Sequence, residues 1–358
     1  MGFKQVGCAL IEWYEKTKRS LPWRGNPSPY QVLVSEIMLQ QTRVETVQGY
    51  YGRFLGRFPD IPSLASASDE TLLKAWEGLG YYRRAFRLRQ TARVILKDFE
   101  GLIPKTPEAL MELPGLGSYT ANAVAAIAYN YPCVALDANA KRVVARLFAF
   151  DGNVDMTKNL RRLTRLGEGL MPPKEASTFN QALMDLGALV CTPRAPACGD
   201  CPVAFACKAK SLGIAALLPV KPKKKPTAKR RFLLLMAVWK GRVLLARREQ
   251  PGLLGGLWEF PLVEIFENQE PEARLLQPLW DRLNLRVQAA HNLGIVRHAY
   301  SHFRLSAHAY LCNVPSLVSQ VLPEALRWIA CKEVTGYPLT GLTHKALKLA
   351  QPFLGQES

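Results

Sequence analysis

The chain has 358 residues, enough for two or three ordinary domains that each bury a core. With 48% hydrophobic and 21% charged residues it is neither a disordered tail nor a membrane protein, and no run of about 18 uncharged apolar residues offers a conventional spanning helix. Lys and Arg outnumber Asp and Glu by 47 to 29, a formal charge of +18, which favours a polyanionic partner through counterion release, nucleic acid first.

The N-terminal MGFKQVGCALIEWYEK lacks a long apolar core before a small-residue cleavage site, so no signal peptide is expected and the chain reads as soluble and intracellular. Three stretches then carry apolar residues at spacings of three and four, the period of one-sided helices. They are VLVSEIMLQQTRVETVQGYYGRFL (32–55), SDETLLKAWEGLG (68–80) and YTANAVAAIAYN (119–130). Within the first, Glu36 sits among Val34, Ile37, Met38 and Leu39, where desolvation favours the neutral acid near pH 7. In ALDANAKRVVARLF, Asp137 stands where a helix should begin, as an N-cap or as a carboxylate kept ionised to stabilise a cationic sugar.

Residues 113–119 read Leu-Pro-Gly-Leu-Gly-Ser-Tyr, a tight turn between helices. Its glycines, Gly115 and Gly117, let backbone N–H groups approach a phosphate at the next helix's N-terminus. Cys191, Cys198, Cys201 and Cys207 follow with spacing C-x6-C-x2-C-x5-C. Four thiols this close in an intracellular chain point to metal, and ligand chemistry accepts zinc or an iron–sulfur cluster alike. Such a loop would hold Arg194, Lys208 and Lys210 towards phosphate.

The segment LPVKPKKKPTAKRR (218–231) has three prolines and seven basic residues and reads as an extended linker dividing 1–217 from 232–358. Beyond it the period changes. FLLLMAVWKGRVLLARRE (232–249) predicts two strands joined at Lys-Gly, FRLSAHAYL (303–311) alternates as another strand, and PEARLLQPLWDRLNL (271–285) is helical between them. The fold class is therefore an all-α part followed by a smaller α/β part.

The hairpin LPGLG, the cysteine spacing and Asp137 resemble the endonuclease III superfamily of helix–hairpin–helix DNA glycosylases and its 4Fe–4S loop. LPWRGNPSPYQVLVSEIMLQQTRVETV, KAWEGLGYYRRA and FNQALMDLGALVCTPRAPACGDCPVAFAC extend the resemblance to the MutY family of adenine DNA glycosylases, over nearly the whole chain. The resemblance implies excision of adenine mispaired with 8-oxoguanine or guanine in double-stranded DNA, after the base leaves the stack. It implies that Glu36 protonates adenine N7, that Asp137 stabilises the oxocarbenium-like sugar with Asn139 beside it, and that Tyr119 shields the cationic intermediate. Trp23, Arg24 and Gln181 match residues around the extruded adenine. Gln41 and Tyr81 match the wedge that fills the vacated stack, with Leu39 contacting the same region. Tyr119 stands where lyase relatives carry a Schiff-base lysine, so a monofunctional enzyme is expected, although Lys141 could form an adventitious adduct.

The C-terminal part resembles a Nudix fold. Its helix offers only Glu272 and Asp281, nine residues apart, in place of the clustered carboxylates that hold magnesium, so lesion recognition is expected instead of pyrophosphate hydrolysis. His298-Ala-Tyr-Ser-His302 resembles the loop that contacts 8-oxoguanine, which makes Tyr300, Ser301 and His302 the candidate readers and leaves His298 and His308 structural. Two residues depart from the family pattern: Tyr300 replaces a Phe and Ala138 replaces a Gly. The alternatives are a same-fold glycosylase acting on thymine opposite guanine and a non-catalytic, zinc-containing nucleic-acid-binding protein. A cytoplasmic, nucleoid-associated monomer that meets clamp or mismatch-repair proteins completes the expectation.

Overall fold

The computed structural model describes residues 3–220, 227–266, 268–300, 302–316 and 323–354. The helices, in chain order, are α1 (Phe3–Thr17), α2 (Pro29–Leu39), α3 (Val44–Arg57), α4 (Ile61–Ala65), α5 (Asp69–Trp76), α6 (Arg83–Asp98), α7 (Pro107–Met111), α8 (Ser118–Tyr129), α9 (Ala138–Leu147), α10 (Thr157–Glu168), α11 (Ala176–Leu189) and α12 (Lys208–Ser211). Seven strands follow, β1 (Ala228–Trp239), β2 (Arg242–Arg247), β3 (Trp258–Glu259), β4 (Leu262–Ile265), β5 (Ala289–Ala299), β6 (Phe303–Asn313) and β7 (Leu326–Ala330), with helices α13 (Gln277–Arg282) and α14 (Gly341–Leu354). No helix among the described residues is long and apolar enough to cross a membrane.

The chain forms two compact units. One comprises Met1–Ala67 with Phe86–Lys224, and the other Ser68–Ala85 with Lys225–Ser358. Sequence periodicity places residues 68–85 with the helical part, but their polar contacts lie elsewhere. Glu77 accepts hydrogen bonds from the Leu339 backbone N–H at 2.7 Å and pairs with His344 at 2.8 Å. Lys74 donates to the carbonyls of Thr335 and Tyr337.

In the first unit, α2 begins at a reciprocal cap. Ser28 accepts from the Gln31 N–H, the Gln31 side chain accepts from the Ser28 N–H, and Pro29 supplies a preset φ at the first turn. All residues from Tyr30 to Met38 except Gln31 are buried, which makes α2 a core helix. The stretch 32–55 is not one helix as its periodicity suggests. Gln41 adopts a left-handed φ of 58°, and Gln40 turns its amide to Thr120 at 2.9 Å, so α2 stops and α3 restarts. The apolar spacing on either side of the break conceals it.

Helix α11 packs on α1, α8 and α9, and α2 packs on α8 and α3, around a core that includes Leu10, Val143, Phe179, Leu183 and Leu186. The α9–α11 approach is close at Gly187, where a Cβ would lie 2.6 Å from the Asn139 Cβ and 2.9 Å from its Cα.

In the second unit the sheet runs β3-β2-β1-β6-β5, with β4 also on β1 and β7 also on β2, and β1–β6 is the parallel pair. The run Leu233–Val238 is buried on both faces: Leu234, Met236 and Val238 join the core that α14 covers, and Leu233, Leu235 and Ala237 join the core under α13. The predicted linker ends early, because β1 starts at Ala228. Residues 228–231 pair with Phe303–Ser306 of β6. Lys229 and Arg230 are exposed, Arg230 meeting Glu264, and exposed charge on a sheet-end extension reads in sequence as linker. Residues 221–226 of that segment lie outside the described residues. The helical stretch 271–285 is a 3-10 turn (Ala273–Leu276) running into the short α13.

Gly187→Ala tests the α9–α11 contact. Its Cβ has no room without moving α9, and overpacking of this kind destabilises by about 1–3 kcal/mol. Thermal denaturation is expected to show a lowered Tm, and an unchanged Tm would disprove the close packing.

Candidate active site

The three helix ends that meet in the first unit carry the two carboxyl groups. Glu36, in the last turns of α2, is 4% exposed. Tyr119, in the first turn of α8, donates its hydroxyl to Glu36 Oε2 at 2.7 Å. Asp137 caps α9 by accepting the Ala140 N–H at 2.6 Å. Burial pushes the Glu36 carboxyl up to about 7 against the opposing hydrogen bond from Tyr119, and the negative charge of Asp137 raises it further. Asp137 is also raised by burial, but the N–H groups of Ala140 and Asn139, the Asn139 side chain and Arg142 all favour its ionised form. Of the two carboxyls, Glu36 is thus the one whose surroundings favour the proton, while hydrogen bonds and Arg142 favour the charge on Asp137. Burial between these two carboxyls holds the Tyr119 phenol far above its ordinary value, so it stays neutral.

Asn139 also accepts from Arg142 at 2.9 Å, and Arg142 donates to the carbonyls of Gly187 and Cys191. A run of hydrogen bonds thus links Asp137 to the first residue of the cysteine loop. Ala138, where a Gly was expected, is exposed in the first turn of α9, so its Cβ meets no obstacle there.

Of the residues matched to the adenine pocket, Arg24 and Gln181 share a neighbour. Tyr14 donates to Gln181 Oε1 at 3.2 Å, and the Arg24 guanidinium lies over the Tyr14 ring at 5.4 Å. The Arg24 fork is taken up by Asp185 at 2.7 and 2.8 Å, and its charge still lowers the Glu36 value. Trp23 is buried and packs edge-on to Tyr51. Asp185, fully buried, also receives Arg19, and the two guanidinium groups hold its carboxyl below the usual range despite burial. Sequence reasoning missed Asp185, although it carries the same signal as Glu36: an acid inside an apolar helix. Arg142 and Arg146, buried one turn apart on α9, were also missed.

In the hairpin between α7 and α8, Gly115 has φ +83° and its missing Cβ leaves room for the Arg87 side chain, which would be 2.7 Å away. Gly117 caps α8 with no side-chain bond, and a Cβ there would meet open space. Leu39 is half-buried at the end of α2, and Gln41 is exposed on its left-handed backbone. In the other unit, Tyr81 is 42% exposed, with φ 48°, another left-handed non-glycine residue. Both side chains are held by strained backbone, a state that persists when the surroundings over-determine it. Lys141 is paired with Asp155 at 3.2 Å.

The four cysteines, Cys191, Cys198, Cys201 and Cys207, line one open pocket together with Arg146 and Lys210. Arg146 is 1% exposed, and its Nη1 lies 3.3 Å from the Cys191 sulfur. Burial pushes the Cys201 thiol up to about 11, with the neighbouring cysteines adding to the rise, and burial raises Cys207 as well. Among the described residues no three Cys, His, Asp or Glu side chains converge as ligands of a single ion. Zinc draws its thiolates to about 2.3 Å from one point. Four thiols lining one pocket are a donor set that zinc and an iron–sulfur cluster both accept. Arg194, Lys208 and Lys210 are exposed on this loop.

At the β5–β6 hairpin, Tyr300 is half-buried between His298 and Phe303, with ring centroids 4.7 and 4.8 Å apart, and its N–H bonds the Phe303 carbonyl. Burial near Glu259 pushes its hydroxyl up to about 12. His302 is exposed, and Ser301 lies outside the described residues. His298 backs onto Gly341, and His308 lies on β6 opposite Ile295. Glu272 and Asp281 form no acidic cluster: Glu272 meets Arg274, and Asp281 meets Gln277.

Residues 34–167 match the HhH-GPD superfamily of base excision DNA repair proteins, and residues 234–349 match the NUDIX domain. A solved thermostable thymine-DNA glycosylase is 30% identical with a TM-score of 0.54, covering 59% of this chain and 97% of its own. Fold and site thus define a helix–hairpin–helix base excision glycosylase followed by a Nudix-like domain. Adenine DNA glycosylase of Mus musculus is 33% identical over 95% of this chain and 76% of its own length, and that of Mycolicibacterium smegmatis is 42% identical over 58% and 70%. The chain belongs to the adenine DNA glycosylase family.

Asp185→Asn leaves Arg19 and Arg24 without their shared counter-charge. Breaking a buried pair in this way costs about 3–5 kcal/mol. Chemical denaturation is expected to show that loss, and a cost below about 1 kcal/mol would place the pair in the class of surface ion pairs.

Proposed function

We propose that the chain hydrolyses the N-glycosidic bond of adenine mispaired with 8-oxoguanine or guanine in duplex DNA and leaves an abasic site. The observation that carries this reading is the buried Glu36, protonated near neutral pH and held by Tyr119 beside an ionised Asp137. Glu36 delivers its proton to the leaving adenine at N7, so that the base departs neutral. Asp137 stabilises the sugar cation, and Asn139 keeps Asp137 oriented through its hydrogen bond. After departure the Glu36 carboxylate accepts a proton from the attacking water. Tyr119 offers no amine, and Lys141 is occupied by Asp155, which supports hydrolysis without strand cleavage.

Around this centre, Trp23, Arg24 and Gln181 receive the extruded adenine, while Gln41, Tyr81 and Leu39 fill the gap it leaves. Gly115 and Gly117 offer backbone N–H groups to phosphate. Tyr300, Ser301 and His302 read the 8-oxoguanine, with Tyr300 contributing from a ring already stacked within its own hairpin. Cys191, Cys198, Cys201 and Cys207 would hold a 4Fe–4S cluster, which supplies a structural tie for the loop bearing Arg194, Lys208 and Lys210. The unit that carries the β-sheet serves lesion recognition.

Single-turnover excision on duplexes with adenine opposite 8-oxoguanine, and with thymine opposite guanine, tests the assignment. Strand breaks are expected on the adenine duplex alone and only after hot alkali. The protonated fraction of Glu36 falls as pH rises through about 7. The rate should therefore decline above neutrality, approaching about tenfold per pH unit, and Glu36→Gln should lower it about a thousandfold. Excision of thymine instead would assign the other mismatch.

A further inference from the structure

The unit formed by Ser68–Ala85 and Lys225–Ser358 holds both the Tyr81 turn and the β5–β6 hairpin, and one element touches each. The first turn of α14 is capped by Thr340, whose hydroxyl accepts the Thr343 N–H at 3.2 Å. On one side of it, the His298 ring lies where a Gly341 Cβ would be 2.8 Å away, and Lys345 donates to the Arg297 carbonyl at 2.8 Å. Arg297 and His298 precede Ala299, the last residue of β5, and Tyr300 follows it. At the same end of α14, Glu77 receives His344 and the Leu339 N–H. Leu339 is itself clamped, since Trp258 donates to the Pro338 carbonyl and receives the Thr340 N–H.

Glu77 is the cap residue of α5 and the first residue before the turn. Gly78, Gly80 and Tyr81 follow with φ of 96°, 72° and 48°. The turn is rigid from within: Trp76 Nε1 donates to the Gly80 carbonyl, and Arg84 donates to the carbonyls of Leu79 and Gly80 while lying over the rings of Trp76 and Tyr81. An internally stiff turn fixed at its first residue moves with whatever holds that residue. Glu77 is mostly buried, and Lys74, bound to Thr335 and Tyr337, reinforces the same attachment.

Building on the function proposed above, we infer that Glu77 is a positioning residue, tying the Tyr81 wedge to the same end of α14 that packs on the lesion-reading hairpin, so that wedge and reader engage DNA as one body. It touches no substrate. Its contribution is specificity: a correctly read 8-oxoguanine places Tyr81, whereas guanine gains nothing from the tie.

The test compares Glu77→Ala, Glu77→Gln, Tyr81→Ala and the double variant Glu77→Ala/Tyr81→Ala, using single-turnover adenine excision opposite 8-oxoguanine and opposite guanine. Glu77→Ala is expected to slow excision opposite 8-oxoguanine about tenfold while changing it less than about twofold opposite guanine. The double variant should be no slower opposite 8-oxoguanine than the slower single variant. Glu77→Gln keeps an acceptor for the Leu339 N–H and should retain the preference. Equal losses opposite both bases, or losses that multiply in the double variant, would overturn the inference. Amide exchange in the free protein reads the tie without chemistry: residues 78–82 should exchange faster in Glu77→Ala and not in Glu77→Gln, and unchanged exchange would also overturn it. A wild-type protein that excises no adenine would instead sink the proposed function and leave the exchange result to decide the tie.

Discussion

A carboxyl group taken out of water governs the design of the first unit. Glu36 lies in a helix whose neighbouring side chains are almost all buried, and desolvation penalises its charged form. That cost is opposed only in part, by one hydrogen bond from Tyr119 and the charge of Arg24, and is increased by Asp137. A site that holds an acid protonated near neutrality needs a rigid apolar wall, which α2 supplies, and a second carboxyl kept ionised by contrasting surroundings. The cap position of Asp137 provides the contrast, because N–H groups at the start of α9 favour its charged form against burial.

Arginines, with Arg142 and Arg146 buried, tie the helices and the cysteine loop of this unit together. Arg19 and Arg24 converge on Asp185, Arg142 joins Asn139 to the carbonyls of Gly187 and Cys191, and Arg146 satisfies the carbonyls of Thr192, Pro193 and Leu218. A guanidinium presents five donors in a fixed plane, so it can close several loose carbonyls at once, and it does so here where the cysteine loop leaves regular structure. The absence of a side chain at Gly187 lets α11 come close enough for these bonds.

Much of this was legible before any coordinates. The spacing of three and four located α5 and α8, Asp137 marked the start of α9, and the doubly apolar run 233–238 marked β1. What escaped depends on distant partners or on backbone conformation. Asp185 and Arg24 are 161 positions apart, and no local pattern joins them. The break at Gln41 comes from a left-handed residue inside an otherwise helical rhythm. The first residues of β1 carry exposed charges because β6 satisfies their backbone, and that pairing is invisible in a run of lysines and arginines. The grouping of residues 68–85 rests on Lys74 and Glu77 meeting residues 335–344, which helical periodicity cannot report. Tyr300 was legible as a ring at the hairpin tip, but its stacking on His298 and Phe303 was not.

The central claim is that Glu36 carries the proton. Carbon-13 NMR of the glutamate carboxyl groups, with Glu36→Gln to assign the resonance, measures this in the free protein. The account predicts a Glu36 carboxyl that titrates near 7, well above the ordinary value of 4.5. Titration at the ordinary value would contradict it, because Glu36 would then be ionised at neutral pH and could not be the acid.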